Sequence, residues 1–293
     1  VQQNKVLLTG SSGLLGSNLK DQLKNDFDVT GVARNYVLGY VDQTIDITDY
    51  KSIKELFIKF KPEILIHSAA IASHSFCDEE PVLAKKVNLE STANLAIIAE
   101  EFGTKFIFIS SDAVFKGDVG WYQESDEPNP FSYYGELKLL AEQAIAEITS
   151  NFIILRGSFF GQSLVKNKSI FEFFYNNILN DVPINGFTDV VSNSLDVINF
   201  SSIIKTLINI EAQGLFHYGS SDKYSKYELG LTIAKLANLN SSLIRPVKSI
   251  EIDNSYFEPR DLSLSTEKLS ATTGIAAPTL EDCVKKVYEF FSK

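Results

Sequence analysis

The stretch SYYGELK, Ser132 to Lys138, sets a tyrosine four residues ahead of a lysine, where a helical pattern begins. Residues at i and i+4 share one helix face, so Tyr134 and Lys138 point the same way. A free phenol has a pKa of about 10. An adjacent ammonium lowers it, which would make Tyr134 a proton donor usable near neutral pH. A plainer pairing is also open, an amphipathic core tyrosine beside a solvated lysine, and a lone Y-x-x-x-K does not separate the two.

A second cluster bears on the choice. Gly10, Gly13 and Gly16 fall between the apolar run KVLLT and a helical pattern through Leu15, Leu19 and Leu23. A glycine-rich turn between strand and helix lets backbone N–H groups approach a pyrophosphate at the helix N-terminus. The spacing is G-x-x-G-x-x-G, not G-x-G-x-x-G. The residues expected to hold a dinucleotide there are Gly10, Ser12, Gly13, Leu14, Leu15 and Gly16, with Ala69 and Ala70 across the cleft. An NAD site usually has an acidic residue at the end of the second strand, for the ribose 2′-OH. This chain has Ala33 and Arg34 instead. A guanidinium can pair with a 2′-phosphate, so NADP is expected, with NAD as the alternative. Asp46 and Ile47, at the end of the third apolar run, suit the adenine edge. Asp49 or Thr48 suits a helix cap.

These residues need a frame. Short apolar runs (KVLLT, VTGVA, TIDI, EILIHSA, KFIFISS, FIILRG) alternate with helical patterns through the first half. One such pattern, beginning near Pro81, reads as a single long helix. The alternation predicts an α/β fold, a doubly wound parallel sheet covered on both faces. Residues 1–157 form the expected dinucleotide-binding domain. Residues 158–293 read as a smaller α+β substrate lobe, with some elements returning to the main sheet. The CDEE run, Cys77 to Glu80, reads as the start of a helix favoured by the dipole.

Composition narrows the partners. The chain has 293 residues, 44% hydrophobic and 22% charged, with a net charge of −10. That balance argues against nucleic acid and anionic membrane as partners. Cys77 and Cys283 form no C-x-x-C and fit a reducing cytoplasm. No apolar run approaches a membrane span, and no signal peptide is visible. His67, His74 and His217 show no metal-ligand spacing, so no metal is expected, and His67 reads as a structural histidine.

The motifs TGSSGLLG, FISSD and YYGELK occur in this order, at separations of about one βαβ unit or more. The chain resembles the extended short-chain dehydrogenase/reductases, and more narrowly their dTDP-4-dehydrorhamnose reductase branch. SSDAVFKG, EPNPFSYYGELK, LRGSFFG and EPRDLSLSTEKL carry the narrower resemblance. It implies Ser111, Tyr134 and Lys138 as the catalytic set. Ser111 would hold the carbonyl oxygen, and Lys138 would also bond the nicotinamide ribose. It implies Asn88 as a backbone-shaping or water-holding residue, and Asp112, Ala113 and Arg260 as substrate contacts. The implied reaction is NADPH-dependent reduction of the 4-keto group of a nucleotide-linked deoxysugar. A homodimer is the assembly considered.

Departures mark other readings. Ala113 stands where the branch has tyrosine, and Glu258-Pro259 where it has Arg-Pro, which leaves the sugar open. Sugar-nucleotide 4,6-dehydratases carry Asp-Glu after their threonine, and Ala113 argues against that reaction. Another epimerase or reductase of the extended family stays open. So does a non-catalytic NADP-binding regulatory subunit, because the β-subunit of methionine adenosyltransferase resembles the same branch.

Overall fold

The β-branched and aromatic runs do form strands, and amphipathic segments between them form the crossover helices. In the first half these are β1 (Lys5–Thr9), α1 (Leu14–Leu23), β2 (Asp28–Ala33), β3 (Gln43–Thr44), α2 (Tyr50–Phe60), β4 (Ile64–His67), α3 (His74–Glu79), α4 (Pro81–Lys85), α5 (Ser91–Phe102), β5 (Lys105–Ile109), α6 (Tyr133–Ile148) and β6 (Phe152–Arg156). The structure is a computed structural model and describes residues 3–164, 169–251 and 260–291. Asp49 caps α2 by accepting from the Ser52 N–H at 3.2 Å. Gly103, at φ 66°, ends α5 in the left-handed conformation that glycine adopts without strain.

The second half supplies β7 (Phe159–Phe160), α7 (Ile170–Leu179), β8 (Ile184–Phe187), β9 (Val190–Ser192), β10 (Leu195–Asp196), α8 (Val197–Asn209), β11 (Gly214–His217), β12 (Tyr224–Ser225), α9 (Lys226–Leu236), β13 (Ile244–Val247), β14 (Arg260–Asp261), α10 (Glu267–Thr273) and α11 (Leu280–Phe291). One parallel sheet has the strand order β11-β6-β5-β4-β1-β2-β3. The order reverses between β1 and β4, which opens a crevice at their carboxyl ends. β11 returns from the second half to the sheet edge beside β6. Smaller pairings, β8 with β13 and β9 with β12 and β14, lie outside the main sheet.

Strand side chains alternate between two cores. Val6, Leu8, Ile64 and Ile66 join α1 and α8 on one face. Leu7, Leu65, Phe106 and Phe108 join α2, α5 and α6 on the other. No helix among the described residues is long and apolar enough to cross a membrane.

Three expectations need correction. The long helix from Pro81 is broken by a π-helical turn at Lys86–Glu90, and the extra residue rotates Asn88 inward. Cys77, Asp78 and Glu79 end α3 rather than begin a helix, because Ser73 caps that helix earlier, accepting from the Phe76 N–H at 3.3 Å. The third strand stops at Thr44, so Asp46 and Ile47 lie just beyond it.

His67 is buried at the end of β4, with Nδ1 2.7 Å from the Thr9 hydroxyl and Nε2 3.0 Å from that of Thr92. Burial, and next the Lys138 charge, push its pKa down to about 3. Burial, and next Arg156, push His217 to about 3 as well. Below 6.5 the unfolded chain binds protons that these folded rings refuse until about pH 3. Stability is therefore full above 6.5 and falls as pH drops. Urea midpoints should decline through pH 6.5 to 5, the slope approaching two protons, about 2.7 kcal/mol per pH unit. A flat profile across that window would contradict the assignment.

Candidate functional site

The crevice at the strand-order reversal is a cleft of about 230 Å³. Gly10, Ser12 and Gly13 line it from the β1–α1 turn, Arg34 from the end of β2, Asp46 and Ile47 from beyond β3, and Ala69 and Ala70 from beyond β4. Ala33 lines it beside Arg34, and Asn35, Ser68 and Ile71, not singled out in the sequence, line it too. Gly10 has φ 71°, and a Cβ there would stand 2.7 Å from the Ala69 nitrogen. That is a conformational and a steric demand for glycine together.

Three loop residues also pack the turn. A Cβ on Gly16 would run into the Gly10 carbonyl oxygen, so Gly16 lets α1 pack against the turn. Leu15 is buried in the core and Leu14 packs against the same core, and none of the three lines the cleft. The Asp46 carboxylate also accepts from the Thr48 N–H at 2.9 Å. The cleft thus combines a backbone approach at the start of α1 with an exposed guanidinium at its far end. This fits an elongated ligand with a pyrophosphate and a further phosphate.

Asn88 is 2% exposed and shapes the cleft wall. Its Oδ1 accepts from the Ile71 N–H at 2.8 Å, and its Nδ2 donates to the Ile71 carbonyl at 2.9 Å. One side chain thereby fixes both backbone groups of a cleft-lining residue.

The tyrosine helix meets the loop after β5 at glycine contact. Ser132 caps α6 by accepting from the Gly135 N–H at 3.2 Å. A Cβ on Gly135 would collide with the Ala113 carbonyl oxygen, so this glycine lets α6 reach the Ser111 segment. Ser111 and Tyr134 come together there, both buried. The Ser111 hydroxyl accepts from the Ala113 N–H at 3.1 Å and donates to Asp112 at 3.1 Å. Ala113 itself is 2% exposed and packs with Cys77, Tyr134 and Leu137. The turn thus buries its side chain against α6.

Lys138 is 3% exposed. Its ammonium donates to the Ile109 carbonyl at 2.7 Å and sits 4.4 Å from the centre of the Phe108 ring. Burial lowers its pKa to about 8 against the opposing pull of Glu142. Tyr134 departs from expectation. Burial raises the phenol's pKa, with the Ser111 hydroxyl acting in the opposite sense. Lys138 is not among the groups that shift it, and its ammonium donates to the Ile109 carbonyl. One turn further along α6, Glu142 accepts from Arg156 at 2.6 Å and from the Ser110 hydroxyl. This buried pair ties α6 to β6 and to the end of β5.

Residues from the second half close the site. The Arg260 guanidinium lies 3.4 Å from the centre of the Phe131 ring. Phe131 stacks on His74 at 5.4 Å, and His74 lies 4.9 Å from the Tyr134 ring. Tyr218, fully buried and stacked on Phe200 at 3.9 Å, faces Asp112 and Tyr134. Neither His74 nor Tyr218 carried a functional signal in the sequence. A strap holds Arg260 in place. The Asp261 N–H donates to the Gly117 carbonyl at 2.8 Å, Tyr122 N–H to the Ser263 carbonyl at 3.0 Å, and Trp121 N–H to the Ser263 hydroxyl at 2.8 Å. Glu258-Pro259 lies outside the described residues. Another cavity, about 480 Å³, is lined by Phe173, Phe174, Phe187 and Lys226. Burial lowers the Lys226 pKa, while Asp112 raises it.

The RmlD substrate binding domain model matches residues 4–292. The bovine (Bos taurus) methionine adenosyltransferase 2 subunit beta is 27% identical over 294 residues, which is 95% of this chain and 85% of that protein. The probable low-salt glycan biosynthesis reductase Agl14 of Haloferax volcanii is 27% identical over 296 residues, 98% of each chain. Among solved structures, dTDP-4-dehydrorhamnose reductase from Bacillus anthracis, in complex with NADP, superposes with a TM-score of 0.89 at 23% identity, over 99% of this chain and 100% of that one. With a glycine-turn cleft at the sheet's switch point, a tyrosine helix packed on the end of β5, and a family model matching almost the whole length, the chain belongs to the RmlD substrate binding domain family, within the extended short-chain dehydrogenase/reductases.

Proposed function

We propose that this protein is an NADPH-dependent reductase of a nucleotide-linked 4-keto deoxysugar. The observation that carries the reading is the meeting of Ser111 with Tyr134, with Lys138 on the same helix and Ile71 packed between the Tyr134 cluster and the glycine-turn cleft. Gly10, Ser12, Gly13 and the start of α1 would hold the pyrophosphate, and Arg34 the 2′-phosphate. The Bacillus anthracis structure with NADP and the Haloferax reductase support this choice of cofactor and chemistry. Held there, a nicotinamide would supply the hydride for the carbonyl carbon.

The residues of this chain manage the oxygen. The Ser111 hydroxyl donates to it and holds it beside Tyr134. The phenol gives up its proton as negative charge builds there. A raised phenol pKa means the proton is present at the start. The cost lies in the phenolate left behind, which burial opposes and the Ser111 hydroxyl favours. The large C-terminal half, with its phenyl-lined cavity and Lys226, exceeds what a small ketone needs and suits a nucleotide-sized substrate.

A regulatory reading has its own support. The methionine adenosyltransferase subunits match this chain at 27% identity across most of its length. A protein of that kind would bind the dinucleotide without turning it over.

NADPH oxidation against a panel of nucleotide-4-keto sugars tests the proposal. Tyr134→Phe should lower kcat by about 10²–10⁴ and leave NADPH binding in place. If the wild type binds NADPH, reduces none of the panel, and works only alongside a partner chain, the regulatory reading replaces the enzymatic one. Arg34→Ala should weaken NADPH about 10- to 100-fold, the worth of a charge-assisted hydrogen bond, and barely change NADH. Equal losses for both nucleotides, measured by titration, would remove Arg34 from the 2′-phosphate.

A further inference from the structure

The reduction as described leaves His74 without a task. The ring nevertheless stands beside the reacting phenol, positioned from three parts of the chain. Ser73 starts α3 at His74, which turns the imidazole toward α6. Phe131, from the segment before α6, stacks on it with an interplanar angle of 13°. Tyr134 lies at 4.9 Å, tilted by 48°. Arg260, from β14, lies over the same Phe131. Stacking fixes the plane of the imidazole and leaves its edge to be satisfied. Neither ring nitrogen has a hydrogen-bond partner among the described residues, although the residue is half-buried. Neither nitrogen is among the buried side-chain atoms that lack a partner, so the ring edge is open to solvent and available to a ligand.

The charges around the ring indicate what that ligand carries. Asp112 and Asp78 favour the imidazolium, Arg260 opposes it, and burial outweighs them and lowers the pKa below 6.5. At neutral pH the ring is therefore uncharged, with one nitrogen donating and the other accepting. A hydroxyl, itself donor and acceptor, complements such a ring better than a carboxylate or a phosphate does.

We propose that His74 is a substrate-reading residue, and that its ring nitrogen hydrogen-bonds a hydroxyl on the carbon next to the carbonyl that Tyr134 protonates. This rests on the reductase reading and adds a specificity element to it. Neither Ser111 nor Lys138 can do this work, since both serve the reacting oxygen and the cofactor side.

His74→Phe retains both ring stacks and deletes both nitrogens. With the wild type, removing the neighbouring hydroxyl from the keto sugar should lower kcat/KM about 10- to 100-fold. His74→Phe should show the same loss on the hydroxylated sugar and little further loss on the deoxy analogue, with NADPH affinity unchanged. A variant that still discriminates between the two sugars overturns the proposal. A second measurement needs no variant. The wild type, labelled with ¹³C at histidine and saturated with NADP⁺, is titrated with dTDP- and UDP-hexoses. Sugars that bind while the His74 ring resonance stays put overturn the proposal and leave the reductase reading standing. A resonance that moves, in a protein that reduces no 4-keto sugar, supports His74 and removes the reductase reading. No binding by any nucleotide sugar overturns both.

Discussion

Taking the Lys138 ammonium out of water costs free energy, and the surroundings return only part of it. The Ile109 carbonyl at 2.7 Å and the face of the Phe108 ring are its near partners, and Glu142 adds attraction from the next turn of the helix. Each of these groups has a fixed position. Ile109 ends the central strand β5, and Glu142 is held by Arg156 of β6. A shift of α6 along its axis would strand the ammonium, so the helix has one permitted register against the sheet. That register sets where the phenol stands. The site is precise because a buried charge tolerates little else.

Glycine does the complementary work of allowing close approach. Gly10, Gly16 and Gly135 each stand where a side chain would meet backbone atoms. The first two bring α1 to the end of β1, and the third brings α6 to the turn after β5. The glycine-turn cleft and the Tyr134 helix are therefore each set by backbone contact, which side-chain motion does not loosen. The second half of the chain contributes differently, through stacked rings and a guanidinium carried on a short strand.

Much of this was legible in the sequence where the controlling forces are local. The alternation of apolar runs and helical patterns gave the parallel sheet, and the glycine spacing gave the turn under α1. Tyr134 and Lys138 share a helix face because four residues separate them. Long-range geometry was not legible. His74 and Arg260 meet through Phe131, and a spacing rule has no access to a contact between residues so far apart in the chain. The direction of the Tyr134 shift depends on how deeply the ring is buried. The π-helical turn at Lys86–Glu90 leaves no mark in a pattern that reads as continuous helix, yet it aims Asn88 at Ile71. The side chain of Leu15, between Gly13 and Gly16, belongs to the core, which the glycine spacing alone does not tell.

The strap that holds Arg260 has an optical consequence. Trp121 is the chain's single tryptophan, and it is 40% exposed with the Lys223 ammonium 5.8 Å from its ring. Its own N–H is fastened to Ser263, and Lys223 is paired with Asp261 at 2.6 Å. The indole, its neighbouring charge and the Arg260 strand are thus linked as one unit. All tryptophan emission from this protein originates at that unit, so its wavelength and yield form an intrinsic gauge of the segment that carries Arg260 onto Phe131.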